Sequence, residues 1–151
     1  MIEIKILKKS NAETLKAVNH LMSQMSLGPP PPKEISPKIF RDLLAQKNLN
    51  FLTAESKITG KKKIIGILSL YFVYLPSGLI AVIEDLIVDR PYRLLGVAPL
   101  LTQKAISLAF AKKARHISLR TNPQRKEANK FYLSTGFQKQ ETNFYRMNLS
   151  K

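Results

Sequence analysis

The pattern of apolar and polar positions predicts one strand and two helices in the first third of the chain. Residues 2–7 (IEIKIL) alternate with the period of a half-buried strand. Asn11 can cap a helix that runs to about Met25, with apolar residues along one stripe. Ser36 stands before a proline, a pattern that predicts the start of a second helix. The prolines at 29–32 between them indicate a stiff loop, and a partner-binding proline motif is the alternative.

The rest of the chain predicts a sheet whose later strands alternate with helices. Runs of strand-forming residues separated by turn signals predict strands at 50–56, 64–75, 79–89, 116–121 and 142–149. Two amphipathic stretches predict helices at 97–113 and 124–135. Gly136 follows the last helix as a left-handed C-cap. The predicted order is βααβββαβαβ. This order predicts a single α/β (α+β) domain over residues 1–151, a mixed central β-sheet flanked by helices.

The composition is that of an ordinary soluble globular protein. Hydrophobic residues make up 44% and charged residues 23% of the 151 residues, enough for one domain with a sizeable core. The chain has no cysteine and only two histidines, His20 and His116, so we expect no disulfide and no metal site. The longest apolar run, 64–75, is too short to span a bilayer. We expect a cytoplasmic protein with no membrane segment.

The chain is strongly basic. Twenty-five Lys and Arg against ten Asp and Glu give a formal net charge of +15, which attracts polyanions such as nucleic acid. The basic residues are dispersed, however, apart from clusters at 61–63 and 112–115. We therefore expect nucleic-acid binding to be weak and nonspecific, and a basic, well-solvated surface is the simpler interpretation.

Two adjacent carboxylates, Glu84 and Asp85, interrupt the apolar strand 79–89. Adjacent strand residues point to opposite faces, so both cannot be ordinary solvent-facing positions. A carboxylate in a covered strand must be paired, hydrogen-bonded or protonated, and a raised pKa is what a general base needs. The alternative is a strand end where one carboxylate meets water and the other binds a loop amide. We expect at least one of the two to be functional.

A second chemical feature is the segment Arg93–Ala98, which lies between the strand 79–89 and the helix that follows it. The first amides of a helix have no intrahelical partner and, with the helix dipole, form an anion site. Gly96 and Ala98 are small enough to let a phosphate approach the backbone, and Arg93 supplies a positive charge. We call Arg93–Ala98 the cradle segment. Its spacing matches neither a nucleoside-triphosphate loop nor a dinucleotide-binding loop.

Arg93-x-x-Gly96-x-Ala98 resembles the R/Q-x-x-G-x-G/A signature of the GCN5-related N-acetyltransferase superfamily. Residues 121–137 (TNPQRKEANKFYLSTGF) resemble the second landmark of that family, a helix with Ala-x-x-[FLI]-Tyr that leads into Gly-Phe. The final segment, 141–149, is similar to the last strand of one bacterial subgroup. The resemblance covers residues 79–149 closely and the N-terminal half by element order.

The resemblance implies an acetyl-CoA site and a catalytic machinery. It implies that the amides of the cradle segment contact the pyrophosphate and that the backbone of the preceding strand contacts pantetheine. Glu84 falls at the position of a general base, Asp85 at that of a group that orients a loop or the acceptor, and Tyr132 at that of the acid that protonates the thiolate. The implied cofactor-binding residues are Leu86, Ile87, Val88, Arg93, Leu94, Leu95, Gly96, Val97, Ala98, Arg125 and Asn129.

The sequence departs from the family pattern in ways that affect the detailed roles. Leu94 and Leu95 stand where glycine and a polar residue are common, and Pro99 removes one amide. Arg125 stands where asparagine is common and could bind phosphate, form a local ion pair, or contact an acidic acceptor. Tyr132 has packing against the sheet as its alternative role. The base could be Glu84, Asp85 or water.

The resulting prediction is an acyltransferase that moves acetyl from acetyl-CoA directly to a primary amine, without a metal. The acceptor would be a small molecule or a peptide, and the protein a monomer or homodimer. One alternative acceptor is a protein N-terminus, a ribosomal protein or an RNA-bound amine. A third possibility is a basic nucleic-acid-binding module on the same fold that no longer catalyses.

Overall fold

The computed structural model describes residues 1–25, 33–58 and 60–149. The strands are β1 (Ile2–Ile6), β2 (Leu49–Ile58), β3 (Lys61–Leu75), β4 (Gly78–Val88) and β5 (Ile117–Leu119), and the helices are α1 (Ala12–Met22), α2 (Pro37–Leu44), α3 (Val97–Ala111) and α4 (Lys126–Ser134). A short 3-10 helix, Arg90–Tyr92, follows β4. The predicted proline loop at 29–32 lies outside the described residues.

The chain divides into two compact units, Met1–Arg120 and Thr121–Lys151. The first unit contains the whole sheet and the helices α1 to α3, and the second contains α4. The single domain over residues 1–151 stays a prediction.

Five strands form one sheet in their sequence order, β1-β2-β3-β4-β5. The first four pair antiparallel, because short hairpins join β2 to β3 and β3 to β4. The last strand, β5, pairs parallel to β4, because α3 returns the chain to the same end of the sheet. The mixed α/β architecture predicted from the sequence is confirmed.

Helices α1 and α2 begin where local side-chain chemistry predicts. The Thr14 amide donates to Asn11 Oδ1 at 2.8 Å, and the Asn11 amide donates to Thr14 Oγ1 at 2.9 Å, which forms a reciprocal capping box. The Ile39 amide donates to Ser36 Oγ at 3.2 Å. Both caps predicted from the sequence are therefore confirmed, and each provides an acceptor for an amide that the helix leaves unpaired.

Helices cover both faces of the sheet. On one face, α1 and α2 contribute Val18, Leu21 and Phe40 to a core with the buried Phe51 and Ile67 of the strands. On the other, α3 lies against β3. A Cβ atom built on Gly66 would lie 3.0 Å from Val97 Cγ1 and 3.2 Å from Leu101 Cδ1. The contact places the first turn of α3 close to the backbone of β3.

The strand predicted at 142–149 is wrong. The described residues after α4 form no regular secondary structure, and residues 142–149 are exposed. A strand needs a neighbour that accepts and donates its backbone hydrogen bonds, and the second unit has no other strand in its described residues. The alternating pattern of this segment gives it a strand preference, but the preference by itself does not supply a partner.

The close approach of α3 to β3 predicts that Gly66 cannot be enlarged without cost. We expect Gly66→Val to lower the free energy of unfolding by about 1–3 kcal/mol, because the added atoms overlap Val97 and Leu101. Urea denaturation followed by circular dichroism measures this. As a control, the double variant Gly66→Ala/Val97→Ala should lose less free energy of unfolding than the two single variants lose together. The methyl group added at Gly66 would occupy space that the smaller residue at 97 leaves. Additive losses would show that the two residues do not share this contact.

Candidate functional site

Strand β4 carries a bulge at the two carboxylates. The register of β4 on β3 shifts between Ile67 and Ser69, and Asp85 has a left-handed backbone with φ 51°. The parallel pairing of β4 with β5 ends at Ile83 and Leu119. Beyond Ile83, no strand among the described residues pairs with this side of β4. Because bulges redirect a strand and end its pairing, this one leaves a backbone edge open beside Glu84 and Asp85.

Glu84 forms an ion pair that sequence reasoning missed. Its Oε1 accepts a hydrogen bond of 2.7 Å from Arg120 Nη2. Arg120 directly follows β5, so the parallel pairing of β4 and β5 brings the two side chains together. No local signal connects residues that are 36 positions apart. The charge-assisted hydrogen bond fixes the position of the Glu84 carboxylate.

Asp85 differs from its neighbour in environment. Asp85 is an exposed residue, yet the surrounding protein removes enough water to raise its pKa, and the negative charge of Glu84 raises it further. Tyr71 of β3 shares this environment, because burial and then the charges of Asp85 and Glu84 raise its pKa. Tyr71 was not predicted from the sequence. These three residues form an ionisable cluster at the bulge, and the raised pKa of Asp85 suits a proton acceptor.

The cradle segment ends in a helix start that no side chain caps. Gly96 is the N-cap residue of α3, it has φ 81°, and no side chain bonds to the free amides. A Cβ atom built on Gly96 would meet nothing within 4 Å, so the space beside its backbone is open. Val97 is buried and holds the helix start against the sheet, whereas Pro99 occupies the first turn, where its missing N–H costs little.

Arg93, Leu94 and Leu95 form the exposed tip of the cradle segment. Arg93 Nε donates to the Val88 carbonyl at 3.1 Å, so the side chain connects the tip to the end of β4. Leu94 is fully exposed and has a left-handed backbone with φ 63°. Leucine is strained in this conformation because its Cβ approaches the following carbonyl oxygen. Leu95 is also largely exposed.

This geometry fits the phosphate group that the sequence predicted. The open side of Gly96 would admit an anion to the backbone, and the helix N-terminus supplies unpaired amides and a positive dipole. The predicted pantetheine-contacting residues lie on the open part of β4, with Ile87 buried in the core and Leu86 and Val88 partly exposed. One continuous strand-turn-helix of the first unit thus carries Glu84, Asp85, Leu86–Val88 and the cradle segment.

Asp89, the first residue after β4, has a set of contacts that sequence reasoning missed. The carboxylate is buried, and it accepts hydrogen bonds from Gln24 Nε2 at 2.8 Å and from Lys63 Nζ at 2.9 Å. Burial on its own would raise its pKa, but the bonds from Gln24 and Lys63 outweigh burial and hold the pKa below its usual range. His20 Nε2 also lies 3.4 Å from its Oδ1. The signal available in the sequence was a charged residue directly after a buried strand.

The remaining predicted residues lie in the second unit. Tyr132 packs edge-on against Phe137, with ring centroids 5.8 Å apart, and burial raises its pKa although the Arg125 charge opposes the rise. Asn129 Nδ2 donates to the carbonyls of Asn122 at 3.0 Å and Arg125 at 2.8 Å. The Asn129 amide therefore fixes the turn before α4. Tyr132 packs within the second unit, and both its acid role and its alternative of packing against the sheet stay predictions.

Two absences hold for the described ranges 1–25, 33–58 and 60–149. Within them, no group of three or more His, Cys, Asp or Glu side chains could hold a metal ion. Nor does any helix within them have the length and apolar character needed to cross a bilayer.

Comparison with known proteins identifies the family to which this chain belongs. The model of the acetyltransferase (GNAT) family matches residues 16–137. The chain belongs to this family, whose members are N-acetyltransferases, and it is an acyltransferase. The family resemblance seen in the sequence is confirmed. None of the curated protein sequences compared with the chain matches it significantly.

Solved structures share the fold over the whole chain. A transcriptional regulator from Bacillus halodurans C-125 is 23% identical with a TM-score of 0.79, covering 99% of this chain and 100% of that one. The aminoglycoside acetyltransferase meta-AAC0020, from an uncultured soil metagenomic sample, is 20% identical with a TM-score of 0.76, covering 97% and 96%. AAC(6')-Iy, in complex with a bisubstrate analogue of coenzyme A, is 20% identical with a TM-score of 0.73, covering 98% and 99%.

The strained backbone of the cradle tip predicts a stabilising substitution. Leu94→Gly should raise the free energy of unfolding by about 0.5–1 kcal/mol, because relief of the left-handed strain exceeds the extra backbone entropy of glycine. The leucine side chain is fully exposed, so its removal loses no burial. Leu95→Gly is the matched control and should destabilise, since the positive-φ residues do not include Leu95. Equal effects of the two variants in thermal denaturation would contradict strain at Leu94.

Proposed function

We propose that the protein is an acetyl-CoA-dependent N-acetyltransferase that acetylates a primary amine by direct transfer. The observation that carries the proposal is the uncapped N-terminus of α3, open at Gly96, at the end of the bulged strand β4. Acetyl-CoA is the donor used by the family, and it supplies the acetyl group as a thioester. The chain's own residues bind the donor, accept the proton of the amine and return a proton to the leaving group.

The donor would be held almost entirely by backbone groups. The amides of Leu95, Gly96, Val97 and Ala98 would bind the pyrophosphate, and the open edge of β4 at Leu86–Val88 would bind the pantetheine arm. Leu94 and Arg93 would border the phosphates. Backbone recognition explains why the cradle segment tolerates leucines, because their side chains point to solvent and leave the amides free.

The acceptor's proton would go to Asp85. Its raised pKa and partial solvent access suit a group that takes a proton from an ammonium ion and passes it to water. The resemblance to the family assigned the base to Glu84. The ion pair with Arg120 instead favours a different role for Glu84, in which the carboxylate is held in place and orients the ammonium group.

Tyr132 would protonate the departing thiolate. A phenol with a raised pKa keeps its proton at neutral pH, so it is available as an acid when the thiolate forms. Arg125 and Asn129 at the start of α4 would support the phosphates or the loop before the helix. This assignment rests on the resemblance of residues 121–137 to the family's second landmark.

The acceptor is proposed to be a small-molecule or peptide amine. The solved structures include aminoglycoside acetyltransferases, and a ribosomal protein, a protein N-terminus or an RNA-bound amine are the other candidates. We propose a cytoplasmic location on composition alone, and nucleic-acid binding that is weak and decreases with salt. Panels of amines, polyamines and peptides can be screened by release of free thiol from acetyl-CoA. The chain has no cysteine, so a thiol reagent gives no background from the enzyme.

Substitutions at Gly96 test the binding of phosphate by the cradle segment. We expect Gly96→Glu to abolish coenzyme A binding in titration calorimetry, because a carboxylate would occupy the anion's position. Gly96→Ala is the control for backbone strain, since it has the same φ 81° penalty without the charge or the reach. The alanine variant should bind measurably more weakly than wild type but still bind. Unchanged affinity in Gly96→Glu would remove the cradle segment from the donor site.

The pH profile separates the two carboxylates. A base works only when deprotonated, so kcat should fall as the pH decreases through the raised pKa of Asp85. Asp85→Asn should lower kcat by about 10²-fold and remove this acid limb. Glu84→Gln should raise the KM of the acceptor and keep the limb. If Glu84→Gln removes the limb and Asp85→Asn does not, the base is Glu84, as the resemblance implied.

A further inference from the structure

Asp89 makes four hydrogen bonds that join three parts of the first unit. Its amide donates to the Ile65 carbonyl at 2.9 Å, and its carbonyl accepts from the Tyr92 amide at 2.8 Å. Its carboxylate accepts from Gln24 Nε2 and Lys63 Nζ, at 2.8 and 2.9 Å. The side chain is 2% exposed. A buried carboxylate with this many partners holds its neighbours in one arrangement, because each lost bond would leave a buried polar group unpaired.

Gln24 connects the end of α1 to the segment after β4 by both ends of its amide. Its Nε2 donates to Asp89 Oδ1, and its Oε1 accepts from the Arg90 amide at 3.0 Å. The Asp89 carboxylate accepts a hydrogen bond and the Arg90 amide donates one, so the Gln24 side-chain nitrogen must face Asp89 and its oxygen must face Arg90. Gln24 lies two residues beyond α1. The helix is therefore attached directly to Asp89 and Arg90, where the segment that leads from β4 to the cradle segment begins.

Lys63 attaches the same segment to the start of β3. Besides its bond to Asp89, the Lys63 ammonium lies 5.0 Å from the centroid of the Tyr92 ring. Tyr92 ends the 3-10 helix, and Arg93, the first residue of the cradle segment, follows it directly. The contacts of Lys63 therefore reach from a strand of the sheet to the residue before the cradle segment.

The approach to the cradle segment has few other anchors. Arg93 Nε bonds to the Val88 carbonyl, but Leu94 and Leu95 are exposed, and a Cβ atom built on Gly96 would meet nothing within 4 Å. Between Asp89 and the buried Val97, most of the backbone is therefore fixed from its two ends. Asp89 fixes one end and the packing of Val97 fixes the other.

We propose that Asp89 is a positioning residue for the donor site. It holds the cradle segment in its phosphate-binding conformation because its hydrogen bonds connect that segment to α1 and β3. The inference rests on the proposed function for its ligand, acetyl-CoA. Asp89 acts through the backbone of residues 90–96 and touches no substrate itself. Its loss should weaken donor binding and leave the chemical step at Asp85 nearly unchanged.

Asp89→Asn tests this role with the smallest change of shape. The variant keeps an oxygen for Gln24 but loses the charge that holds Lys63. We expect the Kd of coenzyme A and the KM of acetyl-CoA to rise about tenfold, with kcat at saturation within about twofold of wild type. Amide hydrogen exchange in residues 92–97 of the ligand-free protein should accelerate.

Two further variants and a control separate positioning from general stability. Gln24→Met and Lys63→Met each remove one partner of Asp89 while keeping most of the packing. Each should raise the Kd of coenzyme A, as Asp89→Asn does. Glu55→Gln removes the charge from an ion pair of the same kind, with Lys5 Nζ at 2.7 Å, which joins β1 to β2. It should change neither the Kd nor the exchange of residues 92–97.

The outcomes distinguish this inference from the proposed function. If wild type does not bind coenzyme A, the proposed function fails, and the exchange of residues 92–97 alone then decides whether Asp89 fixes the segment. If wild type binds and all three variants bind equally well with unchanged exchange, the positioning role is overturned. A lower melting temperature shared by Asp89→Asn and Glu55→Gln, without a change in Kd, would assign Asp89 to stability only.

Discussion

The contact between α3 and β3 is the constraint on which the rest of the structure depends. Gly66 leaves only enough space for Val97 and Leu101, so the helix begins where the sheet is closest to it. That position lies just beyond β4, and it leaves the first amides of α3 exposed beside Gly96 without a side-chain cap. Packing of apolar side chains on one side thus leaves, on the other, an uncapped helix N-terminus at which we propose that an anion binds. Because the site is made of backbone, side chains nearby can vary.

Charge in this protein has two separate roles. The net charge of +15 spreads over the surface, whereas the few acidic residues include three with defined contacts along β4 and its end. Glu84 meets Arg120, Asp85 has a raised pKa, and Asp89 has a lowered one. Burial favours the neutral form of both Asp85 and Asp89, but at Asp89 the hydrogen bonds from Gln24 and Lys63 outweigh it. The six residues from Glu84 to Asp89 therefore include three carboxylates in different surroundings.

Sequence reasoning located the elements better than the contacts between them. Caps at Asn11 and Ser36 depend on residues within one turn, so the local sequence contains the information needed to predict them. The strand predicted at 142–149 failed because a strand depends on a partner elsewhere in the chain. Arg120, Tyr71 and Gln24 were missed for the same reason, since each meets the site only through strand pairing or helix packing. The left-handed backbone of Leu94 was also unexpected, because leucine has no preference for it.

The sequence by itself determined the α/β class, the order of most elements and the family, and it predicted the stretch that carries the candidate site. These properties follow from hydrophobic periodicity and from small residues at fixed spacing, and both are local. Only the tertiary structure decided which carboxylate is ion-paired, which has a raised pKa and which joins α1 and β3 to the cradle segment. Those differences depend on desolvation and on hydrogen-bond donors contributed by residues far away in the sequence. Such donors meet a carboxylate only after the sheet and its helices have packed.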